Sequence, residues 1–335
     1  MTLPRIVKTC ALAAAVVLSA SAAQAQTVEL KLSHFVPPQH VFHKWATAWA
    51  EEVGKRSDGR LKITIYPNGQ LAGPPNRQLD AARNGIVDIA YVLHGATPER
   101  YSLTEIASLP FTDPSAGRSS EIKSKRLTEL APEFLAKEHE GLQLLWMAVA
   151  PAVVFQSKVP IKKLEDFKGL KVRYSGKPNQ QMLTQLGAAP LLIQPNEAQD
   201  AMSKGVVDAT MFPYEAAVAY HLAEVAKYII EPPVSAATFA FAMNKAKYDS
   251  LPADLKKIID ETTGVAGAVQ YAKMWDEWEA GGKAKVQKDG MQLFVLPDDE
   301  IAKLKKITAP IVDENVAAVE KQGKPARKFL EAYTK

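Results

Sequence analysis

The sequence predicts an α/β fold built as two similar lobes with a ligand cleft between them. Segments in which apolar and polar residues alternate follow segments whose apolar residues recur at helical spacing, and Gly or Pro residues separate them. One helix–turn–strand pattern also occurs in both halves of the chain. With 335 residues, the chain is longer than a single core usually serves, so two domains are expected.

Strands and helices alternate in the first part of the chain. The predicted elements are a strand over 27–33, a helix over 41–56, a strand over 60–66, a helix over 77–84 and a strand over 86–93. Pro37-Pro38 precedes the first helix, and Gly85 ends the second. This order of elements is typical of a sheet with helices packed against it.

A short pattern after the second helix recurs in the second half. Residues 85–88 (Gly-Ile-Val-Asp) end one helix and enter a strand, and residues 205–208 (Gly-Val-Val-Asp) do the same. The strand predicted over 169–174 likewise resembles the one over 59–64. Two lobes of similar construction are therefore expected, and a cleft between domains is a favoured ligand site.

The last third of the chain is predicted to be mainly helical. A segment over 252–287 far exceeds the mean helix length of about 12 residues, so it is expected to run across both lobes. Another helix begins after Pro297, where Asp298 and Asp299 favour a helix N-terminus.

These elements suggest how the chain is divided. We expect lobe I to comprise residues 26–149 plus about 239–279, and lobe II residues 150–238 plus about 280–335. The chain should then hinge near Ala150 and near Thr238.

Residues 1–25 have the pattern of a secretory signal peptide. Arg5 and Lys8 give a positive start, a short apolar run follows, and residues 23–25 (Ala-Gln-Ala) supply a cleavage site before Gln26. The apolar run is too short for a transmembrane helix. The protein is therefore expected to act in the periplasm.

Composition and motifs exclude several classes of function. The net charge is +4 without a long Lys/Arg run, so no nucleic-acid partner is expected. The one cysteine, Cys10, lies in the signal peptide, so neither disulfides nor Cys-based metal sites are expected. No nucleophile elbow, phosphate loop, dinucleotide turn or zinc-protease motif is present, so we expect neither an enzyme nor a cofactor. His34, His40 and His43 have no acidic neighbours, so a metal site is not expected.

Arg173 is the residue that best suits ligand binding. It faces away from Leu170 and Val172 on a short predicted strand. A guanidinium presents a rigid fork of donors that can pair with both oxygens of a carboxylate. The alternative is a surface arginine, or one paired with Glu165 or Asp166.

The segment that contains Arg173 resembles a known family. Residues 160–173 (Pro-Ile-Lys-Lys-Leu-Glu-Asp-Phe-Lys-Gly-Leu-Lys-Val-Arg) are similar to a segment of the periplasmic solute-binding proteins of TRAP (tripartite ATP-independent periplasmic) transporters, of the dicarboxylate-binding type. Further matching pieces, in the family's order, are residues 66–73, 85–88, 109–111, 205–208 and 244–245.

The resemblance implies a fold, a partner and a role for one residue. It implies a two-lobed periplasmic binding protein whose lobes, spanned by a long helix, close around one organic acid. It also implies that Arg173 binds the carboxylate and that a small and a large membrane permease subunit receive the ligand. A monomer is expected.

Two departures from the family pattern bear on the ligand. Members that bind sialic acid and related substrates often have a second cleft arginine at about Ala152, where this chain has none. Phe212 stands where those members tend to have asparagine. Both changes favour a less polar ligand, so an aromatic or hydroxyaromatic monocarboxylate is expected. An aliphatic keto or hydroxy acid, a C4-dicarboxylate, and ligand presentation to a sensor kinase are the alternatives.

Other cleft residues are predicted from their positions. Phe212 and Phe239, with Met147 or Tyr214, are expected to form apolar or aromatic walls. The remaining candidates lie after strand ends of lobe I, where ligands meet open α/β sheets: His34, Phe35, His94 and Thr97. His94 or Thr97 could bind a ring hydroxyl or keto oxygen.

Overall fold

A computed structural model describes residues 27–112 and 119–335. The predicted signal peptide, residues 1–25, lies outside the described residues. The strands are β1 Val28–Ser33, β2 Leu61–Tyr66, β3 Ile89–Leu93, β4 Leu142–Val149, β5 Val153–Ser157, β6 Lys171–Tyr174, β7 Ala189–Leu192, β8 Ala209–Phe212, β9 Tyr228–Ser235, β10 Thr238–Asn244 and β11 Gln292–Val295. The α-helices are α1 Val41–Arg56, α2 Pro75–Arg83, α3 Ser120–Phe134, α4 Lys177–Gln185, α5 Ala198–Ser203, α6 Tyr214–Ala219, α7 Lys245–Asp249, α8 Ala253–Thr262, α9 Gly264–Lys288, α10 Asp298–Glu320 and α11 Ala326–Thr334.

The strands form two sheets, one in each lobe. The sheet of lobe I has the order β2-β1-β3-β10-β4, and that of lobe II has the order β11-β9-β5-β8-β6-β7. In lobe I, β1 is parallel to β2 and β3, and β10 is antiparallel to β3 and β4. In lobe II, β6 is parallel to β7 and β8, and β5 is antiparallel to β8 and β9. The two lobes therefore share one strand arrangement, to which lobe II adds β11.

The repeated Gly-[Ile/Val]-Val-Asp pattern forms the same turn in each lobe. Both glycines have a positive φ, 72° in lobe I and 71° in lobe II, which an L side chain adopts only with strain. The Asp88 carboxylate accepts a 2.7 Å hydrogen bond from the backbone N–H of Lys31, and the Asp208 carboxylate accepts one of 2.9 Å from that of Lys171. The predicted repeat is confirmed, because each aspartate joins the turn to the equivalent strand of its own lobe, β1 in lobe I and β6 in lobe II.

Each sheet separates two layers of apolar core. Along β3, Ile89, Tyr91 and Leu93 enter one layer of lobe I, and Ala90 and Val92 enter the other. A strand covered on both faces needs no polar side, which explains the continuous apolar run in this part of the sequence. The layer that contains Tyr91 reaches the cleft between the lobes.

The long helix predicted over 252–287 is in fact two helices, α8 and α9. Thr263 is extended (φ −126°, ψ −144°), and Gly264 has φ +62°, so the chain turns between them. A helical hydrophobic period continues across this turn, and sequence reasoning therefore joined the two segments.

Helix α9 contacts both lobes through two acidic side chains. Asp276 accepts a 2.8 Å hydrogen bond from the backbone N–H of Ser120, the first residue of α3 in lobe I. Glu279, less than one turn further on, accepts bonds of 2.8 and 2.7 Å from the N–H groups of Tyr214 and Glu215 at the start of α6 in lobe II. Carboxylates satisfy the free N–H groups of helix N-termini, so α9 holds one helix of each lobe.

The prediction that residues 280–335 belong to lobe II is wrong for the end of the chain. Leu304 and Ile311 of α10 pack into the core of lobe II. Val316, near the end of the same helix, packs with Phe329 and Tyr333 of α11 into the core of lobe I. The C-terminal helices therefore cross back to the first lobe, which depends on tertiary packing and not on local sequence.

The chain also crosses between the sheets at residues 150–152 and 236–237. The two crossings lie side by side, and the N–H of Ala150 donates a 2.9 Å hydrogen bond to the carbonyl of Ala237. The lobe boundaries predicted from the sequence are at 149/150 and 238/239.

Candidate ligand-binding site

A cavity lies between the two lobes, at the edge of the first core layer of lobe I. A cleft between domains is a favoured place for a small-molecule site. Its lining residues from lobe I and α9 are Phe35, Val36, His40, Leu93, Ala150, Ala237, Phe239 and Trp275. Its lining residues from lobe II are Val153, Arg173, Ser175, Asn179, Pro195, Met211, Phe212, Pro213, Ala216 and Tyr220. Arg173 is the only member of this wall with a permanent charge.

The guanidinium of Arg173 is held in the cavity wall by backbone carbonyl groups. Its Nε donates to the carbonyl of Ile193 (2.9 Å), and its Nη1 donates to that of Met211 (3.1 Å). The guanidinium carbon lies 4.2 Å from the centre of the Phe212 ring, a cation–π contact. These three contacts fix the orientation of the guanidinium group. Its Nη2 group has no hydrogen-bond partner in the described part of the chain.

No carboxylate of the described residues pairs with Arg173, although its side chain is only 2% exposed. The alternative pairing with Asp166 does not occur, because that carboxylate accepts the N–H of Lys162 instead (2.8 Å). Burial lowers the pKa of Arg173 to about 10, so the group is still charged at neutral pH. A buried charge without a partner is costly, and an anion in the cavity would relieve that cost.

Ser175 provides a second donor on the same side of the cavity. It follows Arg173 by two residues in extended chain, so both side chains face the same way. Its Oγ is buried without a hydrogen-bond partner among the described residues. Asn179 donates to the carbonyl of Ser175 (2.8 Å) and accepts from Ser235 (2.7 Å), which fixes the serine backbone. Arg173 and Ser175 both line the cavity.

Aromatic rings cover the rest of the wall. The rings of Tyr220 and Phe212 lie 5.4 Å apart on the side of lobe II. On the opposite side, Phe239 stacks on Tyr91 at 4.9 Å and meets the edge of Trp275 at 5.4 Å. Ring pairs at such distances attract one another, and a flat aromatic ligand would find the same contacts on both faces.

The lobes contact each other around this cavity. The N–H of Gly176 in lobe II donates a 3.1 Å hydrogen bond to the carbonyl of Gly95 in lobe I. A Cβ atom on Gly95 would lie 2.6 Å from the Ser175 Oγ, so glycine is required for this close approach. On another side, Glu215 accepts a 3.0 Å hydrogen bond from the N–H of Val41, the first residue of α1. The structure is therefore a closed form.

His40 stands at this second contact, beside Glu215. It is the N-cap of α1, and its Nδ1 accepts a 3.1 Å hydrogen bond from the N–H of Phe42. Its Nε2 lies 3.5 Å from Glu215 Oε2. Burial, together with the nearby His34, lowers the pKa of His40 to about 3, so the ring is neutral. Burial also raises the pKa of Glu215 to about 8, and Glu279 adds to this effect.

Four of the nine residues predicted from sequence line the cavity: Arg173, Phe212, Phe35 and Phe239. Three of these four are aromatic, and they come from three different strands or strand ends. The structure brings them together because the first core layer of lobe I and the strand ends of lobe II face the same cleft.

Three predicted residues of lobe I lie on the far side of their sheet, away from the cavity. Met147 is buried in the second core layer of lobe I. The His94 ring lies 3.1 Å from Thr238 Oγ1 and 3.0 Å from His139 Nε2, and it is neutral because burial keeps its pKa well below the usual value. Thr97 bonds to the carbonyl of His94 (3.4 Å).

The two remaining predicted residues do not line the cavity. His34 is buried against Phe42, and its Nε2 lies 3.0 Å from His43 Nδ1. Tyr214 donates its hydroxyl to Glu231 (2.5 Å) on the outer side of α6. The His34 Nε2 and the Tyr214 hydroxyl thus each have a side-chain partner outside the cavity.

Sequence reasoning missed five polar or aromatic residues of the wall: His40, Ser175, Asn179, Tyr220 and Trp275. Two of them could have been predicted from local sequence patterns. Strand alternation from Arg173 points to Ser175, and the position of His40 after Pro37-Pro38, at the start of an amphipathic helix, indicates an N-cap. Tyr220 and Trp275 reach the cavity only through tertiary packing.

The described residues offer neither a metal-binding cluster nor a helix suited to a membrane span. Residues 27–112 and 119–335 include no cluster of His, Cys, Asp or Glu side chains that could hold a metal ion. None of the helices in these ranges combines the length and the apolar character of a bilayer span.

Comparisons with known proteins agree with this geometry. A family model described as bacterial extracellular solute-binding protein, family 7, matches residues 32–318. A TRAP solute-binding protein of Rhodoferax ferrireducens, crystallised with copurified benzoate, is 30% identical with a TM-score of 0.87, and the match covers 92% of this chain and 97% of that one.

Two further solved structures are also similar over nearly the whole chain. A marine metagenome TRAP solute-binding protein specific for aromatic acid ligands, from an unidentified microbe and bound to 3-hydroxybenzoate, is 28% identical with a TM-score of 0.87 (92% and 97% covered). A TRAP periplasmic solute-binding protein of Bordetella bronchiseptica with bound (R)- and (S)-mandelate is 26% identical with a TM-score of 0.84 (92% and 98% covered).

Proposed function

The chain belongs to family 7 of the bacterial extracellular solute-binding proteins, which includes the TRAP solute-binding proteins, and we propose that it captures an aromatic monocarboxylate for a TRAP transporter. The observation that carries this proposal is the buried, unpaired guanidinium of Arg173 in a cavity walled by aromatic rings. Three similar structures, which were solved with benzoate, 3-hydroxybenzoate and mandelate, support the same class of ligand.

The wall favours one carboxylate over two. Arg173 supplies the one positive charge of the cavity lining, and Ala152, near which some relatives are expected to have a second arginine, is buried beside the crossing between the lobes. A second carboxylate would be buried without a counter-charge, which costs several kcal/mol. Succinate-like acids should therefore bind poorly. Sugar acids should also bind poorly, because Phe212 and Phe239 offer no hydrogen bonds to hydroxyl groups.

The protein would work by binding and release, without chemistry. In this proposal residues 1–25 direct export and are removed near Ala25, the mature protein is a monomer, and the closed form docks on the permease subunits. A periplasmic sensor that presents its ligand to a receptor kinase would use the same cleft. Family membership favours transport, because the similar structures are TRAP proteins.

A ligand screen tests this proposal. The purified mature protein is unfolded, dialysed and refolded to remove copurified ligand, and its melting temperature is measured with benzoate, hydroxybenzoates, mandelate, pyruvate, succinate and galacturonate. We expect stabilisation by aromatic monocarboxylates, because a ligand that binds only the folded protein stabilises it. Stabilisation by succinate or galacturonate, with no response to any aromatic acid, would contradict the proposed ligand class.

A further inference from the structure

We propose that His40 and Tyr220 form a second polar subsite, apart from Arg173, that hydrogen-bonds an oxygen substituent on the ring of the bound acid. The preferred ligands are then hydroxy- or oxo-substituted aromatic monocarboxylates. This inference rests on the proposed function and specifies it further.

The Tyr220 hydroxyl has no hydrogen-bond partner among the described residues. The residue caps the C-terminus of α6 and lines the cavity, and it is only 8% exposed. Its ring packs against Phe212, but its hydroxyl makes no hydrogen bond with any residue in 27–112 or 119–335. A hydroxyl in a cavity wall that no protein group satisfies needs a partner inside the cavity. We infer that this partner is the molecule that fills the cavity.

This hydroxyl makes no hydrogen bond with Arg173. Arg173 binds the carbonyls of Ile193 and Met211, not Tyr220. The Tyr220 ring lies beside the ring of His40, whose Nε2 is 3.5 Å from Glu215 Oε2. Burial raises the pKa of Tyr220, so its hydroxyl remains protonated at neutral pH.

His40 adds a donor on that same side. Its ring lies 6.3 Å from the Tyr220 ring and 6.1 Å from that of Trp275. Because Nδ1 accepts from the Phe42 N–H, the ring proton is on Nε2. The nearest acceptor for this proton is Glu215 Oε2 at 3.5 Å, which is too long for a full hydrogen bond. The Nε2–H group can therefore donate to a ligand oxygen.

The charges around this subsite select the kind of oxygen. His40 and Tyr220 are both neutral, and Glu215 stands directly behind them. A second carboxylate would meet no positive charge here and would be repelled by Glu215 when that group is ionised. A hydroxyl or keto oxygen needs only the two donors. His40 and Tyr220 thus take the role that the sequence assigned to His94 or Thr97.

The test compares two ligands that differ by one oxygen atom. Calorimetry measures the dissociation constants of benzoate, 3-hydroxybenzoate and 4-hydroxybenzoate for wild type and Tyr220→Phe. We expect wild type to bind at least one hydroxybenzoate about tenfold more tightly than benzoate, as one added hydrogen bond provides. Tyr220→Phe should lose this preference and still bind benzoate within about twofold of wild type.

Two further variants isolate the subsite. His40→Asn retains a side chain that can cap α1 but removes the Nε2 donor, so it should reduce the preference in the same way. Tyr214→Phe makes the same chemical change at the other end of α6, outside the cavity, and should alter neither affinity. Equal affinities of wild type for benzoate and both hydroxybenzoates would overturn the inference. An equal loss of affinity for all three ligands in Tyr220→Phe would also overturn it, because such a loss would show that the Tyr220 hydroxyl binds the carboxylate. Failure of all aromatic acids to bind would instead contradict the proposed function.

Discussion

Arg173 is a buried cation that lacks a counter-charge in the described part of the protein. Its side chain is 2% exposed, and its described partners are two carbonyl groups and one aromatic face. Carbonyl dipoles orient a guanidinium but do not neutralise it, and removing an ion from water costs several kcal/mol. The closed form is thus expected to be incomplete until an anion enters the cavity, so closure depends on the ligand.

Ser175 should contribute to carboxylate binding through its hydroxyl. We expect Ser175→Ala to weaken binding of the best aromatic acid by about tenfold or more, because hydrogen bonds to charged groups contribute roughly 1.5–3 kcal/mol. The measurement is calorimetric titration. Thr97→Ala is the matched control, since that hydroxyl was expected in the cleft from sequence but bonds to the carbonyl of His94. Equal affinities of Ser175→Ala and wild type would exclude the serine from the carboxylate site.

Single residues of the site could be predicted only where local pattern determines their direction. Arg173 lies on a strand whose alternation is visible in the sequence, whereas Phe212 is predicted from a departure from the family pattern; both line the cavity. His94 was expected in the cleft because it follows a strand end, but it turns to the other side of the sheet and pairs with His139. Tyr220 and Trp275 approach the cavity from helices whose placement the sequence does not reveal. Pairing between distant histidines, and helix placement, are tertiary properties.

At the scale of elements, α6 and α1 meet across the cleft through Glu215. The carboxylate accepts the first N–H of α1 and is buried by the closure itself. The titratable groups that face it are His40, Glu279, Tyr91, Tyr220 and Tyr271. None of these groups carries a positive charge at neutral pH, so burial is the main influence on the pKa of Glu215.

This contact predicts a pH dependence of binding. Burial raises the pKa of Glu215 to about 8 in the closed form, while an open, hydrated cleft should leave it near the ordinary glutamate value. At a pH between these two pKa values, closure of the cleft takes up a proton. The affinity for the ligand is therefore greatest at low pH and falls as pH rises through the pKa of the closed form. We expect a loss of roughly tenfold between about pH 6.5 and 8, measured by calorimetry.

Glu215→Gln should remove much of this dependence. The amide oxygen can still accept the N–H of Val41, but the side chain no longer titrates. Titrations in two buffers of different ionisation enthalpy count the protons taken up. An affinity that is the same at both pH values in wild type would show that Glu215 does not couple closure to protonation.

The elements themselves were predictable where local signals mark their ends. Helix α1 and the turns at Gly85 and Gly205 occur where the pattern predicts them. The break at Thr263 was not predictable from periodicity, because apolar spacing continues on both sides while one backbone turn separates α8 from α9. Such a break is visible only in the backbone angles.

At the scale of the whole molecule, the described residues join the lobes through the crossings at residues 150–152 and 236–237, through helix α9, and through the C-terminal helices that return to lobe I. The repeat made the two similar lobes predictable. The packing of α11 on lobe I was not predictable, because the sequence of an amphipathic helix does not indicate which lobe its apolar face contacts. The crossings are adjacent, which allows rotation of one lobe against the other.

The cost of burying Arg173 predicts that the free protein is open. Small-angle scattering should show a smaller radius of gyration with a saturating aromatic acid than without it, because a ligand that binds only the closed form shifts the population toward that form. Arg173→Gln measured at the same ligand concentration is the control and should not compact. An unchanged radius for wild type at saturation would argue against a closing cleft.

The most direct test of the central claim compares the best aromatic acid of the screen with its neutral amide. The two molecules have nearly the same shape and differ in the charge that Arg173 is proposed to bind. By calorimetry we expect wild type to prefer the acid by about 100-fold, and Arg173→Gln to bind the acid at least about 30-fold more weakly than wild type does, since losing one partner of a buried charge pair costs roughly 2–5 kcal/mol. If wild type binds amide and acid within about threefold of each other, or if Arg173→Gln retains wild-type affinity for the acid, Arg173 is not the carboxylate anchor.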